Sequence, residues 1–527
     1  MSHEDVQVKN WKETIATWLH PKAIAMLFLG FSAGLPILLI FSTLSVWLRE
    51  AGVERSAVTY FSWAALGYSF KFVWAPLIDL IPVPFVTNFL GRRRAWMLVA
   101  QLGVMAAITA MASVDPVVNT SLTLMAVAAV GLGFSSATQD IVIDAYRIEC
   151  ADSSLQAMLA AMYISGYRIG MVVAGAGSLF LATYFGTTKE LYLYDAWKAT
   201  YITMVGVMFV GVLTTLIIDE PEPDTKNKRV EYSAFDYGRI VLMFIIAVCF
   251  FIMTFIYFGE QLTYFKETLA EDIHMDGPIG FFVIEFVRFL VSLLAATLVG
   301  YTVVQLGLVN KEMAYKAYIL PVVEFFNRYG MRTAILFLVL IGCYRFSDIV
   351  LGVVSNVFYV DLGFSKNVIG GVTKTFGLGM TLVGGFVGGL LTMRYSVQAI
   401  LFLGGVLAAG TNLLFMILAQ VGPDLTMLTV AIAADNLSAG IATTAFIAFL
   451  SSLTNVSFTA VQYAIFSSLM TLFPKLIGGY SGSMVSSIGY ENFFVFTALM
   501  GLPALVLIWI IRGEIVSPKS GIGKIRK

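Results

Sequence analysis

The sequence WLREAGVERSAV occupies residues 47–58, and a related stretch, FYVDLGFSKNVI, occupies residues 358–369. They align with Gly52 opposite Gly363, 311 positions apart, and each follows a long apolar run. Two further matches occur in the same order at nearly the same offset: SATQDIVIDAYR from Ser136 with IATTAFIAFLSS from Ile441, and Gln156-Ala157 with Gln462-Tyr463. Three matches at one approximate offset indicate that the chain contains two copies of one helical unit.

The amino-acid composition places both copies in a membrane. Of the 527 residues, 58% are hydrophobic and 13% are charged, and the mean hydropathy is +0.84. Soluble proteins average about 45–50% apolar and about 25% charged residues, and so few charges would leave large apolar patches in water. A soluble enzyme is therefore excluded. The 33 basic and 33 acidic residues balance, so no positive excess favours nucleic-acid binding.

Apolar runs of about 20 residues, the length that crosses a bilayer, predict an all-α membrane protein. The fourteen predicted transmembrane helices form groups of six, two and six: 22–48, 57–79, 95–113, 121–146, 155–184, 197–218, 239–259, 279–305, 334–359, 367–392, 397–419, 424–450, 457–480 and 492–512. The predicted domains are an N-terminal half at 1–218, a linker with the two extra helices at 219–333, and a C-terminal half with a tail at 334–527. Within the linker, Lys311–Arg332 mixes charged and apolar residues, which predicts an amphipathic helix on the cytoplasmic surface with a break at Pro321.

Lysine and arginine residues in the connections predict the orientation. With the N-terminus inside, the cytoplasmic segments contain 20 of these residues and the segments on the opposite side contain six. Because positive residues concentrate on the cytoplasmic side, this difference predicts that both termini are cytoplasmic.

Two six-helix halves are the arrangement of the major facilitator superfamily, in which substrate binds between the halves near the midplane. The sequence has no G-x-x-x-x-G-K-[ST] motif for ATP phosphates, so we expect an ion gradient to drive transport, without a cofactor or a metal. The histidines, His3, His20 and His274, lie outside the predicted spans. This argues against a membrane-embedded acyltransferase and leaves carboxylates as proton carriers inside the membrane. We therefore expect a carrier rather than an enzyme, and a monomer.

Carboxylates lie within several predicted spans: Asp140, Asp144, Glu285, Asp348 and Asp435. Asp140 and Asp144 are four residues apart and share one face of the fourth helix. Asp144 is three residues from Arg147, so it can pair with this arginine or reach the interface. Asp140 lies roughly 10 Å along the axis from Arg147 and has no partner in its own turn. The predicted proton-coupling residues are Asp140 and, as a second candidate, Asp144.

Three cations in the spans, Lys71, Arg168 and Lys475, have no charge partner nearby in sequence. Cations that face a cavity within a membrane suit a substrate with carboxylates; alternatively, these three pair with Asp140 or Asp435 across helices. Aromatic residues lie near these cations in the sequence. Two alternatives are open for them: they stack on the sugar rings of a substrate, or they pack against neighbouring helices. The predicted substrate-binding residues are Gln139, Lys71, Arg168, Lys475, Arg345, Trp63 and Tyr163.

Two further pairs have the spacing that lets opposite charges neutralise each other on one helix. Glu285 and Arg288 lie in the inserted helices, and we interpret this pair as structural. Arg345 and Asp348 lie in the second half, where substrate binding and structural pairing are both open.

Gly30 and Gly34 belong to GFSAG, which matches the G-x-S-x-G motif of hydrolases. That motif requires a strand-to-helix turn, whereas GFSAG lies inside a long apolar helix. The two glycines therefore predict close helix packing. The same prediction holds for the pairs Gly384/Gly388 and Gly385/Gly389.

Three motifs, GYSFKFVWAPLIDL at 67–80, FLGRRRAWMLVAQ at 89–101 and SSATQDIVIDAYRIE at 135–149, resemble the AmpG family of muropeptide permeases. This resemblance implies proton symport of N-acetylglucosaminyl-1,6-anhydro-N-acetylmuramyl peptides across a bacterial inner membrane. It also implies roles in peptidoglycan recycling and β-lactamase induction, and hence in antibiotic resistance. Acetyl-CoA transporters share the motifs in looser form, so the alternative is a carrier of another large anion such as acetyl-CoA.

The resemblance also assigns residues. The family's TQD on the fourth helix corresponds to Thr138, Gln139 and Asp140, and its lysine on the second helix corresponds to Lys71. The family commonly has Asp-Arg where this chain has Asp79-Leu80. The predicted cytoplasmic gate therefore consists of Asp79 with Arg92, Arg93 and Arg94, which supply the positive charge. The expected partners are anhydromuropeptide, protons and membrane lipid, with no nucleic acid.

Overall fold

The computed structural model describes residues 17–53, 61, 68, 70–118, 121–152, 155–188, 191–222, 232–273, 278–365, 368–478 and 481–513. This part of the chain consists of α-helices, short 3-10 and π-helical segments, and connections, without a strand. The predicted all-α class is confirmed over these residues. The chain forms two compact units: the first comprises Met1–Ile78, Pro82–Pro223 and Arg328–Lys527, and the second comprises Asp79–Ile81 and Asp224–Asn327.

The helices follow the order of the predicted spans. The first repeat contains α1 (Pro21–Ile40), α2 (Ser42–Glu50), α3 (Ala75–Leu80), α4 (Val86–Leu90), α5 (Arg92–Ala112), α6 (Ser121–Glu149), α7 (Gln156–Val172), α8 (Ser178–Tyr184) and α9 (Tyr194–Ile217). Next come α10 (Ala234–Ile273), α11 (Pro278–Gln305), α12 (Lys311–Ala314) and α13 (Leu320–Tyr329). The second repeat contains α14 (Met331–Cys343), α15 (Phe346–Asp361), α16 (Gly377–Arg394), α17 (Val397–Val421), α18 (Leu425–Leu453), α19 (Thr459–Gly478), α20 (Ser481–Leu499) and α21 (Leu502–Ile510).

Twelve helical segments among the described residues are long and apolar enough to cross a membrane. They correspond to twelve of the fourteen predicted spans. Residues 57–60, 62–67 and 69 of the predicted span 57–79 lie outside the described residues, and the predicted span 457–480 overlaps the shorter apolar helix Val456–Leu472. The count of fourteen therefore stays a prediction.

The ends of α2 and α15 show that the sequence repeat is also a structural repeat. Gly52 and Gly363 have φ values of +82° and +92°, a left-handed conformation that glycine adopts without steric cost. At α2 the amides of residues 51, 52 and 53 donate to the carbonyls of 47, 49 and 48; at α15 those of 362, 363 and 364 donate to 358, 360 and 359. The same three hydrogen bonds, each shifted by 311 positions, end both helices as a glycine C-cap.

Close contact between α1 and α7 depends on the predicted glycine pair. A Cβ atom added to Gly30 would lie 2.1 Å from the carbonyl oxygen of Tyr163, and one added to Gly34 would lie 2.0 Å from that of Tyr167. In the second repeat, Gly384 has the same relation to Leu437 of α18, where the distance would be 2.2 Å. The packing interpretation of these glycines is confirmed, because backbones approach where no side chain fits.

The variant Gly30→Ala should lower stability by about 1–3 kcal/mol, because the added methyl group forces α1 away from α7. The matched control is Gly131→Ala on α6, where an added Cβ would meet nothing within 4 Å. The midpoint of thermal unfolding in detergent measures both variants. Equal midpoints for the two would contradict the packing role of Gly30.

The second unit contains the helix pair α10 and α11. The guanidinium group of Arg288 lies 3.7 Å from the ring centroid of Phe255, and its Nε donates to the Phe255 carbonyl at 2.5 Å. The predicted partner, Glu285, has its side chain outside the described part. Arg288 thus uses an aromatic ring and a backbone oxygen to accommodate its charge.

The predicted amphipathic segment is helical. It consists of α12, a π-helical stretch at Tyr315–Ile319, and α13. The π-helical stretch ends two residues before Pro321, which has no amide hydrogen for a regular helical bond, so the expected break is a local change of helix type. A hydrogen bond to Glu312 raises the pKa of Lys316. The position of the segment Lys311–Arg332 on a membrane surface stays a prediction.

Candidate functional site

Charged side chains in the first unit occur in two layers along the helix axes. We call the end of this unit that carries Arg92–Arg94 the arginine end. Helices α6 and α18 finish there, and α7 begins there, because Gln156 of α7 hydrogen-bonds to Arg147 near the end of α6 and Arg147 in turn contacts Ser451 of α18. Depth is counted from this end at about 1.5 Å per helical residue.

Glu149 joins the two repeats at the arginine end. The buried Arg93 donates from Nε to Glu149 Oε2 at 2.9 Å and from Nη2 to Oε1, and Arg92 lies 3.8 Å from the same carboxylate. Thr459, at the start of α19 in the second repeat, donates to Glu149 Oε1 at 2.7 Å. Sequence analysis did not single out Glu149. Glu149 is the last residue of the motif at 135–149, and its partners come from distant segments of the chain.

The predicted gate residues are placed differently from one another. Arg92 and Arg93 meet Glu149, whereas Arg94 donates to the carbonyls of Thr215 and Leu216 at 2.9 and 2.7 Å, at the end of α9. Asp79, on α3, belongs to the second compact unit. Among the gate arginines, Arg92 and Arg93 therefore contact Glu149, which in turn reaches the second repeat through Thr459.

Arg147 makes a second connection between the repeats. It is fully buried, donates from Nη1 to Ser451 Oγ at 2.8 Å, and lies 5.2 Å from the ring centroid of Tyr463. A further contact joins α16 and α7. A Cβ atom added to Gly389 of α16 would lie 3.3 Å from the Cβ atom of Ala161 of α7. These contacts hold the repeats together at the arginine end.

Next to these contacts lies what we call the buried charge layer, consisting of Lys71, Asp140, Asp144 and Arg147. Asp144 lies 3.6 Å from Lys71 Nζ and 3.5 Å from Arg147 Nη2. The predicted Asp144–Arg147 pair is confirmed. Lys71 has no charge partner on its own segment, as predicted, and the short segment Lys71–Val73 brings it to Asp144 of α6, while its charge also interacts with that of Asp140. Its role in substrate binding stays a prediction.

Asp140 is 8% exposed and accepts a hydrogen bond from the hydroxyl of Tyr163 at 3.3 Å. Its charge interacts with Lys71 and with Asp144. With all four groups ionised, the layer would carry two positive and two negative charges and be neutral. A change in the charge of Asp140 would therefore leave an uncompensated charge among buried side chains, which is costly.

The motif Thr138-Gln139-Asp140 contacts three different neighbours, since successive residues of a helix point about 100° apart. Thr138 accepts from Trp74 Nε1 at 3.1 Å, Gln139 donates to Ser32 Oγ of α1 at 2.8 Å, and Asp140 faces Tyr163 of α7. Gln139 is fully buried in this packing and lines neither cavity described below. Tyr163, also a predicted substrate residue, is buried against Asp140.

Farther from the arginine end lies a cavity of about 270 Å³, which we call the charged cavity. Arg168 is twelve residues into α7, about 18 Å from the arginine end, and Lys374 is twenty residues from Arg394, about 30 Å away. The cavity is lined by Arg168, Arg345, Asp348, Leu351, Gly352, Ser355, Asn356, Tyr359, Thr373, Lys374, Ile432, Asp435, Asn436 and Ala439. Residues of both repeats therefore line one space, about 18–30 Å along the helix axes from the arginine end.

The charged cavity brings together two of the predicted substrate residues, Arg168 and Arg345, which are close enough for their charges to interact. Arg345 pairs with Asp348 at 3.8 Å, as predicted. Arg168 is exposed to the cavity and has no carboxylate partner among the described residues. Of the other predicted residues, Trp63 lies outside the described residues, and Lys475 lies on α19 with its side chain outside them.

Lys374 also faces the charged cavity and was not predicted. It is exposed, and its Nζ donates to Asn356 Oδ1 at 2.8 Å. The same reasoning that selected Arg168 applies to it, since Lys374 is a cation without a nearby carboxylate in the sequence. Lys374 is only the eighth residue of the predicted tenth span, so the sequence did not mark it as a cation deep in the membrane.

A larger cavity of about 1690 Å³ lies at the arginine end itself. Its lining includes Lys22, Glu149, Cys150, Glu222 and Ser451. Glu149 and Ser451 belong to the contacts between the repeats, so this cavity borders those contacts, whereas the charged cavity lies farther along the helix axes.

Comparison with known sequences identifies similar proteins. A sequence profile described as Major Facilitator Superfamily matches residues 11–323. A transporter of Rickettsia felis named AmpG 4 is 29% identical over 487 residues, which cover 92% of this chain and 95% of that protein. An Escherichia coli protein named anhydromuropeptide permease is 28% identical over 493 residues, covering 93% of this chain and 80% of that protein. The family resemblance of the sequence motifs is thereby confirmed.

Solved structures show a similar arrangement of helices. A proton:xylose symporter, XylE, has a TM-score of 0.56 at 11% identity and covers 94% of this chain and 96% of its own. The Escherichia coli fucose:proton symporter FucP has a TM-score of 0.56 at 10% identity and covers 94% of this chain and 99% of its own. At such low identity these likenesses concern the fold alone.

Proposed function

Because the chain belongs to the major facilitator superfamily, and is thus a multi-pass membrane transporter rather than an enzyme, we propose that it imports anhydromuropeptides together with protons. The observation that carries the proposal is the 28% identity to the anhydromuropeptide permease over 93% of this chain. The cations of the charged cavity suit such a cargo, because the muramyl and peptide groups carry carboxylates. Transport would run from the periplasm to the cytoplasm of a bacterium with an inner membrane and would serve peptidoglycan recycling.

In this proposal the arginine end faces the cytoplasm, as the distribution of lysine and arginine suggests. The contacts of Glu149 with Arg93 and Thr459, and of Arg147 with Ser451, then close the cytoplasmic side. The charged cavity lies on the periplasmic side of this closure and receives the substrate. Transport requires these contacts to break while the repeats close on the other side, as in alternating access.

Asp140 couples this movement to protons. While Asp140 is ionised, the buried charge layer is neutral and tolerates a dry environment. A proton on Asp140 leaves two cations against one carboxylate, a net charge of +1, and a buried unbalanced charge is costly. Protonation therefore favours opening at the arginine end, where water reaches Lys71 and Arg147. Release of the proton to the cytoplasm restores the neutral layer and the closed state.

Competition between substrates tests the cargo. Cells that lack their own importer and express this protein should take up labelled anhydromuropeptide. Unlabelled anhydromuropeptide at ten times its half-saturation concentration should lower this uptake about tenfold by mass action, and acetyl-CoA at the same concentration should leave it unchanged. Stronger competition by acetyl-CoA would transfer the proposal to the alternative cargo, a large anion of the CoA ester type.

A further inference from the structure

The charged cavity contains charges of both signs, which is unusual for a site that binds a purely anionic cargo. Arg168, Arg345 and Lys374 contribute three positive charges, and Asp348 and Asp435 contribute two negative charges. The lining therefore has a net charge of +1. Arg345 and Asp348 neutralise each other at 3.8 Å, which leaves Arg168 and Lys374 on the positive side and Asp435 on the negative side.

Asp435 lacks a strong donor. Its Oδ1 lies 3.4 Å from the hydroxyl oxygen of Thr411, but this hydroxyl lies closer, at 3.0 Å, to the carbonyl of Ala408. A hydroxyl has a single hydrogen to donate, and the shorter contact takes it. Within the described part of the chain no cation pairs with Asp435, and the charged residue that interacts with it, Asp348, has the same sign. The carboxylate thus faces the cavity with unused acceptor capacity.

The positive side has unused donors as well. Arg168 has no hydrogen-bond partner or carboxylate among the described residues, and its guanidinium group interacts unfavourably with that of Arg345. Lys374 uses one of its three hydrogens on Asn356. Both repeats contribute to this arrangement, since Arg168 lies on α7 of the first repeat and Lys374 precedes α16 of the second. A ligand with a carboxylate on this side would relieve the repulsion between the two arginines.

We propose that the charged cavity binds a zwitterionic group, with a ligand carboxylate at Arg168 and Lys374 and a ligand ammonium group at Asp435. A ligand part with two carboxylates and one ammonium group would neutralise the net charge of +1. The volume of about 270 Å³ is at the small end for ligand sites, so it fits the amino-acid end of a peptide rather than a whole disaccharide peptide. This inference rests on the proposed function and makes Asp435 the residue that selects for a free amino group on the peptide.

Other ligand classes fit the cavity less well. A neutral sugar would leave Arg168 and Asp435 without partners after water is displaced, and unpaired charges of this kind are costly. A polyanion would satisfy Arg168 and Lys374 but would place like charge beside Asp435. A ligand that presents both signs satisfies all three groups by charge-assisted hydrogen bonds.

The test compares two forms of one substrate in two variants. The substrates are an anhydromuropeptide whose peptide has one free amino group and the same compound acetylated at that nitrogen. The variants are Asp435→Asn and, as a matched control, Asp361→Asn. Asp361 lies at the end of α15, outside the charged cavity, and accepts a hydrogen bond from Tyr490. Asp435→Asn should raise the half-saturation concentration for the free amine at least tenfold, and for the acetylated form less than twofold. Asp361→Asn should change neither.

Equal losses for both substrates in Asp435→Asn, or no loss for either, would overturn the inference. A separate measurement keeps it distinct from the proposed function. Thermal stabilisation of the purified protein is measured with a free tripeptide that has a side-chain amino group, and with its acetylated form. Stabilisation by the free form that Asp435→Asn removes supports the zwitterion site even if no anhydromuropeptide is transported. The absence of any difference between the two tripeptides in the wild type would contradict it.

Discussion

The variant Asp140→Asn should lose uptake driven by a proton gradient while the protein still folds and enters the membrane. Asparagine has the same shape as aspartate, and its carbonyl can still accept the hydrogen bond from Tyr163 that is 3.3 Å long in the wild type. It cannot be ionised, so the buried charge layer keeps a net charge of +1 throughout the cycle. We expect gradient-driven uptake to fall about 100-fold, within the range of typical coupling free energies.

The control for this prediction is Asp144→Asn. Asp144 contacts both Lys71 and Arg147, so its loss leaves two buried cations without their shared partner and should cost about 3–5 kcal/mol. We therefore expect a reduced yield of folded protein from Asp144→Asn and a normal yield from Asp140→Asn. Wild-type uptake by Asp140→Asn would remove this residue from the coupling mechanism.

The variant Glu149→Gln should open the arginine end. Glutamine can still accept from Thr459, but it removes the charge that holds the buried Arg93. Removing one partner of a buried ion pair costs about 3–5 kcal/mol. Opening of the arginine end lets water hydrate Arg93 and so lowers this cost. We expect uptake to fall by at least about tenfold, because the closed state that presents the charged cavity is depleted.

The native Cys150 reports this opening directly. It lies one residue after α6, is 8% exposed, and burial raises the pKa of its thiol to about 11. At pH 8 roughly one thiol in a thousand is then ionised, and the thiolate is the reactive form. Hydration at the arginine end exposes the thiol and lowers its pKa toward the ordinary value. Alkylation of Cys150 by maleimide should therefore become about tenfold faster in Glu149→Gln.

The labelling experiment uses a background with Cys249→Ser and Cys343→Ser, since these are the other cysteines of the chain. The matched control is Glu222→Gln, an exposed carboxylate that lines the same cavity at the arginine end. It should leave both the labelling rate and uptake unchanged. An unchanged labelling rate in Glu149→Gln would show that this residue does not hold the repeats together.

Features that depend on local sequence could be predicted. Apolar length gave the spans, and the offset of 311 positions between Gly52 and Gly363 matched two helix ends with the same hydrogen bonds. The pairs Asp144–Arg147 and Arg345–Asp348 followed from spacing along one helix. These predictions held because the spacing of residues along a single helix fixes which side chains are neighbours.

Features that depend on which helices meet could not be predicted. The Lys71–Asp144 contact, the Gln139–Ser32 hydrogen bond and the joining of the repeats at Glu149 require the rotation of each helix about its own axis. A near-uniform apolar surface specifies this rotation poorly, because lipid and protein neighbours favour similar side chains. Asp435 was recognised as a carboxylate in a span, but its lack of a donor became visible only with Thr411 and Ala408 in place.

The central claim is that the charge of Asp140 links proton entry to movement of the cargo. Purified wild-type protein and Asp140→Asn are placed in liposomes with a pH-sensitive dye inside, an alkaline interior and no membrane potential. Addition of anhydromuropeptide outside should acidify the interior of wild-type liposomes as the substrate accumulates, and neither change should occur with Asp140→Asn. Accumulation without acidification, or equal acidification in both preparations, would contradict the account.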